Sequence, residues 1–336
     1  MDTTAIVATA PGRVNLIGDH TDTSGGWCLP MAIDLATTVR GTRQGGAVYL
    51  RSDIEPEPAV VPLDLDDPSR VTPEWARYVA GVVSELRPSS GFTGTLTSSV
   101  PAGAGLSSSA ALEVAVSLAL GFDRSPLELA LLCQQAEQRA SGVPCGPMDQ
   151  IASVFGVEGH ALLLDCTTLT VEPVPIPDDA EIIVVHSGEA RRLAGSSYAA
   201  RRHEVEEAQR IVGPLRHAEI GDLTAIRDDV LRRRARHVVT ENGRVHKFAA
   251  ALAAGDVTTA GGLMTASHAS LRDDFAVSTT RLDTLVEDLT STPGILGARL
   301  TGAGFGGCVV ALCRPGALEP SRLMWRLRPS GGAHLQ

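Results

Sequence analysis

Residues 11–30, PGRVNLIGDHTDTSGGWCLP, place Arg13, Asp19, His20 and Asp22 in a stretch that is otherwise apolar or small. Ionisable groups in that setting suit a surface turn, a metal site or a clamp on a polar substrate. A second stretch, PAGAGLSSSAALEVAVSLAL (101–120), runs from a strand-like segment into Gly103 and Gly105, then Ser107, Ser108 and Ser109, then an apolar helical run. Small residues let backbone N–H groups approach an anion, and the following helix adds the positive end of its dipole. The serine hydroxyls add ligands for phosphate or Mg²⁺. The pattern is neither G-x-x-x-x-G-K-[ST] nor G-x-G-x-x-G. The single lysine, Lys247, lies in a segment without a glycine loop, so P-loop chemistry is not indicated. A dinucleotide-binding unit lacks both its third glycine and an acid on the next strand. The plainer alternative is a tight turn with a serine N-cap.

The third stretch, CQQAEQRASGVPCGPMDQ (133–150), carries Glu137 in a helical segment and Asp149 after a Gly/Pro-rich turn. Near a phosphate loop, one carboxylate can bind Mg²⁺ while the other takes a proton from a hydroxyl. Taken singly, Glu137 reads as a helix-surface acid and Asp149 as a helix cap. A fourth stretch, RLTGAGFGGCVVAL (299–312), has more glycine between its two strands than a hairpin needs, which points to close backbone approach by a ligand. Together the residues describe phosphoryl transfer, a reaction catalysed mainly by positioning and charge stabilisation.

The elements that must position these groups follow from periodicity. Residues 5–9 and 13–17 read as strands broken at Pro11-Gly12, and 28–40 and 47–51 as further strands. Residues 74–87 have helical spacing, with Trp75, Tyr78, Val79, Val82, Val83 and Leu86 on one face. A strand over 93–100 and helices over 109–121 and 125–141 follow, the last ended by Gly142 and Pro144. Strands are expected at 162–165 and 181–187, and helices at 197–212, 221–239, 244–254, 256–269 and 279–290. The basic run RRRARH (232–237) reads as a solvated helix face. PVPIPDDAE (173–181) is the boundary candidate.

The bulk numbers bound the function class. The 336 residues suffice for one large or two ordinary domains, and 43% apolar with 20% charged residues is ordinary for a globular chain. A formal charge of −10 argues against a nucleic-acid partner. No window reads as a membrane span or a leader, and six cysteines without a C-x-x-C pair suit reduced thiols in a cytoplasmic protein.

Taken as an ordered set, these stretches resemble the GHMP small-molecule kinases, and among them the galactokinases. That family carries G-R-V-N-L-I-G-E-H-T-D-Y-N-G-G near its N-terminus; residues 12–26 read G-R-V-N-L-I-G-D-H-T-D-T-S-G-G. GAGLSSSAA (103–111), PCGPMDQ (144–150) and GAGFGGC (302–308) match the later motifs, and LAGSSYAARRHEVEEA (193–208) and SHASLRDDF (267–275) are similar too. The resemblance implies an α/β (α+β) GHMP kinase fold. Residues 1–175 would form a domain like the second domain of ribosomal protein S5, and residues 176–336 a ferredoxin-like domain, with the site in the cleft. It implies ATP and Mg²⁺, a sugar substrate and a monomer. By the same resemblance Asp149 falls on the catalytic base, which would accept the proton of the sugar 1-hydroxyl. Arg13 falls on the arginine that stabilises the reacting state and keeps the base ionised. Asp19, His20, Thr21, Asp22, Gly146 and Tyr198 fall on the sugar site. Gly103, Ala104, Gly105, Leu106, Ser107, Ser108 and Ser109 fall on the phosphate loop, Ser109 and Glu137 on the Mg²⁺ ligands, and Trp75 near adenine.

Departures cluster on the sugar side. Asp19 stands where the family has Glu at the position expected to hold the sugar 6-hydroxyl. Thr23-Ser24 replaces Tyr-Asn, and His186-Ser187-Gly188 replaces Asn-Ser-Asn. Another hexose, a uronic acid or an amino sugar is therefore the alternative substrate. A non-catalytic sugar and ATP sensor is the alternative class, against which SSSAA, Arg13, Glu137 and Asp149 are all present.

Overall fold

The computed structural model describes residues 5–189, 194–319, 321 and 323–336. Its first half contains β1 (Ile6–Asn15), β2 (Trp27–Cys28), β3 (Pro30–Arg43), β4 (Ala47–Ser52), β5 (Ala59–Pro62), α1 (Ala76–Leu86) and β6 (Phe92–Ser98). Then come α2 (Ser108–Ala119), α3 (Pro126–Ser141), α4 (Met148–Phe155), β7 (His160–Asp165) and β8 (Val171–Pro175). The second half has β9 (Glu181–His186), α5 (Ala194–Val212), α6 (Asp229–Ala253), α7 (Val257–Ser270), α8 (Thr280–Thr290), β10 (Ile295–Thr301), β11 (Cys308–Cys313), β12 (Met324–Leu327) and β13 (His334–Leu335).

Three sheets result, ordered β13-β1-β3-β6-β4-β5, β10-β11-β9-β12 and β2-β7-β8. All pairings are antiparallel except β4 with β6. Helices α1, α2 and α3 cover the first sheet over a core that includes Val79, Val83, Phe92 and Val116. Helices α5, α6 and α8 contribute to a second core with β9, β10 and β11. A third core joins the halves, packing Leu16, Leu29 and Met31 with Phe248, Met264 and Val310. The chain end returns to the first half, where β13 pairs with β1.

The sequence-based expectations hold for most elements and fail at instructive places. Pro11-Gly12 does not break β1: the strand continues through an irregularity between Pro11 and Arg13. Gly12 is required there because a Cβ would lie 2.5 Å from the Leu106 carbonyl oxygen. Helix α3 starts as its sequence asks, with a Ser125/Glu128 capping box and Pro126 in its first turn, and ends on Gly142 in the left-handed conformation. The expected helices at 221–239 and 244–254 are instead one helix, α6, capped by Asp228 and continuous through Gly243. Residues 222–225 form a separate 3₁₀ turn. The RRRARH run is not simply solvated. Arg234 is buried against Glu204 and the Asp274 carbonyl, and His237 is fully buried. No helix among the described residues is long and apolar enough to cross a membrane.

Candidate active site

Arg13 leaves the irregular point of β1 and meets Asp149 in the first turn of α4. Its Nε donates to Asp149 Oδ1 at 2.7 Å and its Nη2 to Oδ2 at 2.5 Å, a bidentate pair. Nη1 donates to the Gly105 carbonyl at 2.7 Å, so the same guanidinium ties the glycine loop to the carboxylate. Ser107 donates its hydroxyl to Asp149 Oδ2 at 2.5 Å.

Two cavities flank this pair. The larger, about 440 Å³, is lined by Gly103, Gly105, Ser107, Ser108, Ser109, Glu137, Trp75 and Tyr78, among others. The smaller, about 200 Å³, is lined by Asp19, His20, Asp22, Gly146, Tyr198 and Gly302, among others. Among the described residues, Arg13 and Asp149 alone line both. A group in one cavity and a group in the other would meet at this carboxylate.

In the larger cavity, Gly103, Gly105 and Ser107 have positive φ, and α2 begins at Ser108. Ser109 donates to Glu137 Oε1 at 2.8 Å, and Gln150 Nε2 donates to Glu137 Oε2 at 2.5 Å. Burial, then the nearby Asp149 charge, pushes the Glu137 carboxyl up to about 7. A half-buried carboxylate and a hydroxyl lining one cavity are the hard oxygen donors that Mg²⁺ takes alongside phosphate oxygens. The side chains of Ala104 and Leu106 are buried and do not line the cavity.

The smaller cavity is lined in part by the Asp22 carboxyl. Burial, then Asp149, pushes it up to about 6. Gly146 is glycine for a reason: a Cβ there would lie 2.0 Å from Asp22 Oδ2. His20 has φ +66° and stacks on Phe275 at 4.5 Å between ring centroids. Burial holds its imidazole down at about 3, hence neutral, and its Nε2 has no partner among the described residues. Tyr198 comes from α5, its ring centroid 5.7 Å from that of His20. Thr21 does not line the cavity; its hydroxyl lies 2.8 Å from the Gly18 carbonyl and 2.7 Å from that of Trp27, closing the loop on itself.

Sequence reasoning missed the residues that hold these groups. Arg299, fully buried in β10, pairs with Asp19, whose other oxygen accepts the Gly302 N–H at 3.0 Å. Gln134 and Gln138 both donate to the Cys145 carbonyl, and Arg202 to that of Pro144, fixing the loop that carries Gly146. The available signal for Arg299 was a charge inside the otherwise apolar strand GARLTG.

Comparison with known proteins bears on this geometry. Residues 1–43 match the galactokinase galactose-binding signature, 77–157 the GHMP kinases N terminal domain and 248–322 the GHMP kinases C terminal family. The chain is 44% identical to human galactokinase over 331 residues, covering 93% of this chain and 84% of that protein. It is also 44% identical to galactokinase of Roseiflexus sp. (strain RS-1), over 94% and 85% respectively. Among solved structures, Lactococcus lactis galactokinase complexed with galactose superposes with a TM-score of 0.90 at 34% identity, covering 99% of this chain and 96% of that one. L. major mevalonate kinase in complex with R-mevalonate shares the fold at TM-score 0.68 and 21% identity, covering 96% of this chain and 96% of that one.

Proposed function

The chain belongs to the galactokinase family of the GHMP kinases, and from that premise we propose how its residues phosphorylate the 1-hydroxyl of galactose with ATP, giving galactose 1-phosphate and ADP. The observation that carries the reading is the Arg13–Asp149 pair, which forms the shared wall of two cavities of different character.

Galactose occupies the smaller cavity, held by Asp22, His20, Tyr198, the backbone of Gly146 and, at its edge, Asp19. Sugar hydroxyls have fixed directions, and a carboxylate accepts two or more of them. ATP occupies the larger cavity, with its phosphates on residues 103–109 and its base toward Trp75. Asp149 accepts the proton of the sugar 1-hydroxyl as that oxygen bonds to the γ-phosphorus and the bond to the β-phosphate oxygen breaks, releasing ADP. A weak base suffices where the transition state is loose. Arg13 holds Asp149 in place through two hydrogen bonds and faces the charge that develops on the transferring group. Ser109 and Glu137 would hold Mg²⁺, which when bound neutralises charge on the phosphate oxygens.

Residues 1–175 and 176–336 are taken as the two working halves, and the protein as a cytoplasmic monomer. The six cysteines, all free thiols, suit the compartment part of that reading. A panel of galactose, other hexoses, uronic acids and amino sugars, each with ATP and Mg²⁺, tests the function. Galactose should give the highest kcat/KM, with phosphate on the C1 oxygen by ³¹P and ¹³C NMR. Sugar-independent ADP release, or preference for a uronic acid or amino sugar, would refute it.

A further inference from the structure

The sugar-side loop between β1 and β2 contains a strained residue. His20 is in the left-handed region, which a non-glycine residue occupies only when its surroundings over-determine it. What determines it lies in the second half of the chain. Gly18 donates its N–H to Glu241 Oε1 at 3.0 Å, and His237 Nε2 lies 3.1 Å from the Asp19 carbonyl. Trp27 donates its N–H to Asn242 Oδ1 at 2.9 Å. His237, Glu241 and Asn242 all belong to α6. Arg299 and the Gly302 N–H take one oxygen each of Asp19.

The clamp is built as a balanced buried cluster. Glu241 is fully buried and also accepts from Ser267 Oγ at 2.5 Å and from Arg244 Nε at 2.6 Å. Asp19 and Glu241 thus face Arg299 and Arg244, two charges of each sign. Removing one member of such a cluster leaves its partner buried and uncompensated, which loosens whatever the cluster holds. Every loop atom it grips lies between Gly18 and Trp27, and no hydrogen bond joins Glu241 or Arg299 to residues 103–109 among those described.

We infer that Glu241 and Arg299 are positioning residues of the galactose site, fixing the loop that presents His20 and Asp22 without touching substrate themselves. The inference rests on the galactokinase reading for its kinetic consequence but not for its structural one. It also gives Asp19 a different principal task from sugar contact: both of its oxygens are already engaged, and it ties the sugar loop to the glycine loop after β10.

The test uses the full chain, with Glu241→Gln, Glu241→Leu, Arg299→Lys and Asn242→Leu. Separate KM values for galactose and ATP are measured beside hydrogen exchange of residues 17–28. Glu241→Gln keeps an acceptor for Gly18 and should raise the galactose KM by less than about threefold. Glu241→Leu and Asn242→Leu should raise it about tenfold or more, the scale of one lost buried hydrogen bond, with the ATP KM within about twofold. The same variants should lose exchange protection in 17–28 first. Equal changes in both KM values, or protection lost uniformly over the chain, would overturn the inference. If Glu241→Leu does not fold, Arg299→Lys and Asn242→Leu carry the same comparison. If the parent protein shows no galactose-dependent turnover, the functional reading fails. Exchange alone then decides: selective loss in 17–28 supports the clamp, and no selective loss rejects it.

Discussion

At the scale of single residues, Asp22 carries a pH dependence that its place in the smaller cavity imposes. Its half-buried carboxyl stands beside Asp149, and the folded protein keeps a proton there up to about pH 6 while the unfolded chain releases it near the ordinary value of 3.8. The folded state therefore binds more protons between those values, and this residue's contribution to stability falls as pH rises through that window. Above pH 6 the ionised group destabilises the ligand-free fold by up to roughly 3 kcal/mol. Asp22→Asn should raise the melting temperature of the free protein at pH 8 but not at pH 4, while raising the galactose KM at least about tenfold. A melting temperature that falls equally at both pH values would contradict the assignment. Arg13, Asp149 and Glu137 were singled out in the sequence because they stand in or beside stretches rich in glycine, serine and proline. Arg299 and Glu241 were not, since their partners lie more than two hundred residues away and only the packed fold brings them together.

At the scale of elements, periodicity located most of the helices but not α4 (Met148–Phe155), and two of the errors fall at glycine. Helices expected at 221–239 and 244–254 left a gap that ends at Gly243, yet α6 runs from Asp229 to Ala253 as one element. Burial of Val238, Val245, Phe248 and Leu252 along its face outweighs a propensity cost of about 1 kcal/mol. Nothing lies within 4 Å of a Cβ built on Gly243. Gly243→Ala should therefore stabilise the protein by roughly 0.5–1 kcal/mol without altering either KM, as chemical denaturation and kinetics can check. A loss of stability would mean that α6 needs a flexible point there. Pro11-Gly12 misled in the same way. The local signal says break, but Gly12 answers to Leu106 across the site, and β1 continues so that Arg13 can reach Asp149.

At the scale of the whole molecule, the two halves meet where the chemistry is. The smaller cavity takes Asp22, Gly146 and Asp149 from the first half and Tyr198, Gly302 and Ala303 from the second. The ordered motifs made this architecture readable in outline, whereas the return of β13 to the first sheet left no periodic signal in two residues. Because Ser109 and Glu137 line only the larger cavity, removing divalent cation with EDTA should stop turnover. It should leave galactose affinity, measured calorimetrically, within about twofold. Loss of sugar binding would place the cation on the wrong side. The most direct test of the shared-wall account is Asp149→Ala assayed beside the parent protein with galactose, ATP and Mg²⁺. The expected result is a fall in kcat of about 10³-fold or more, with both ligands still bound and the residual product phosphorylated on the C1 oxygen. Turnover within about tenfold of the parent would contradict the account, because the one carboxylate common to both cavities would then not be the base.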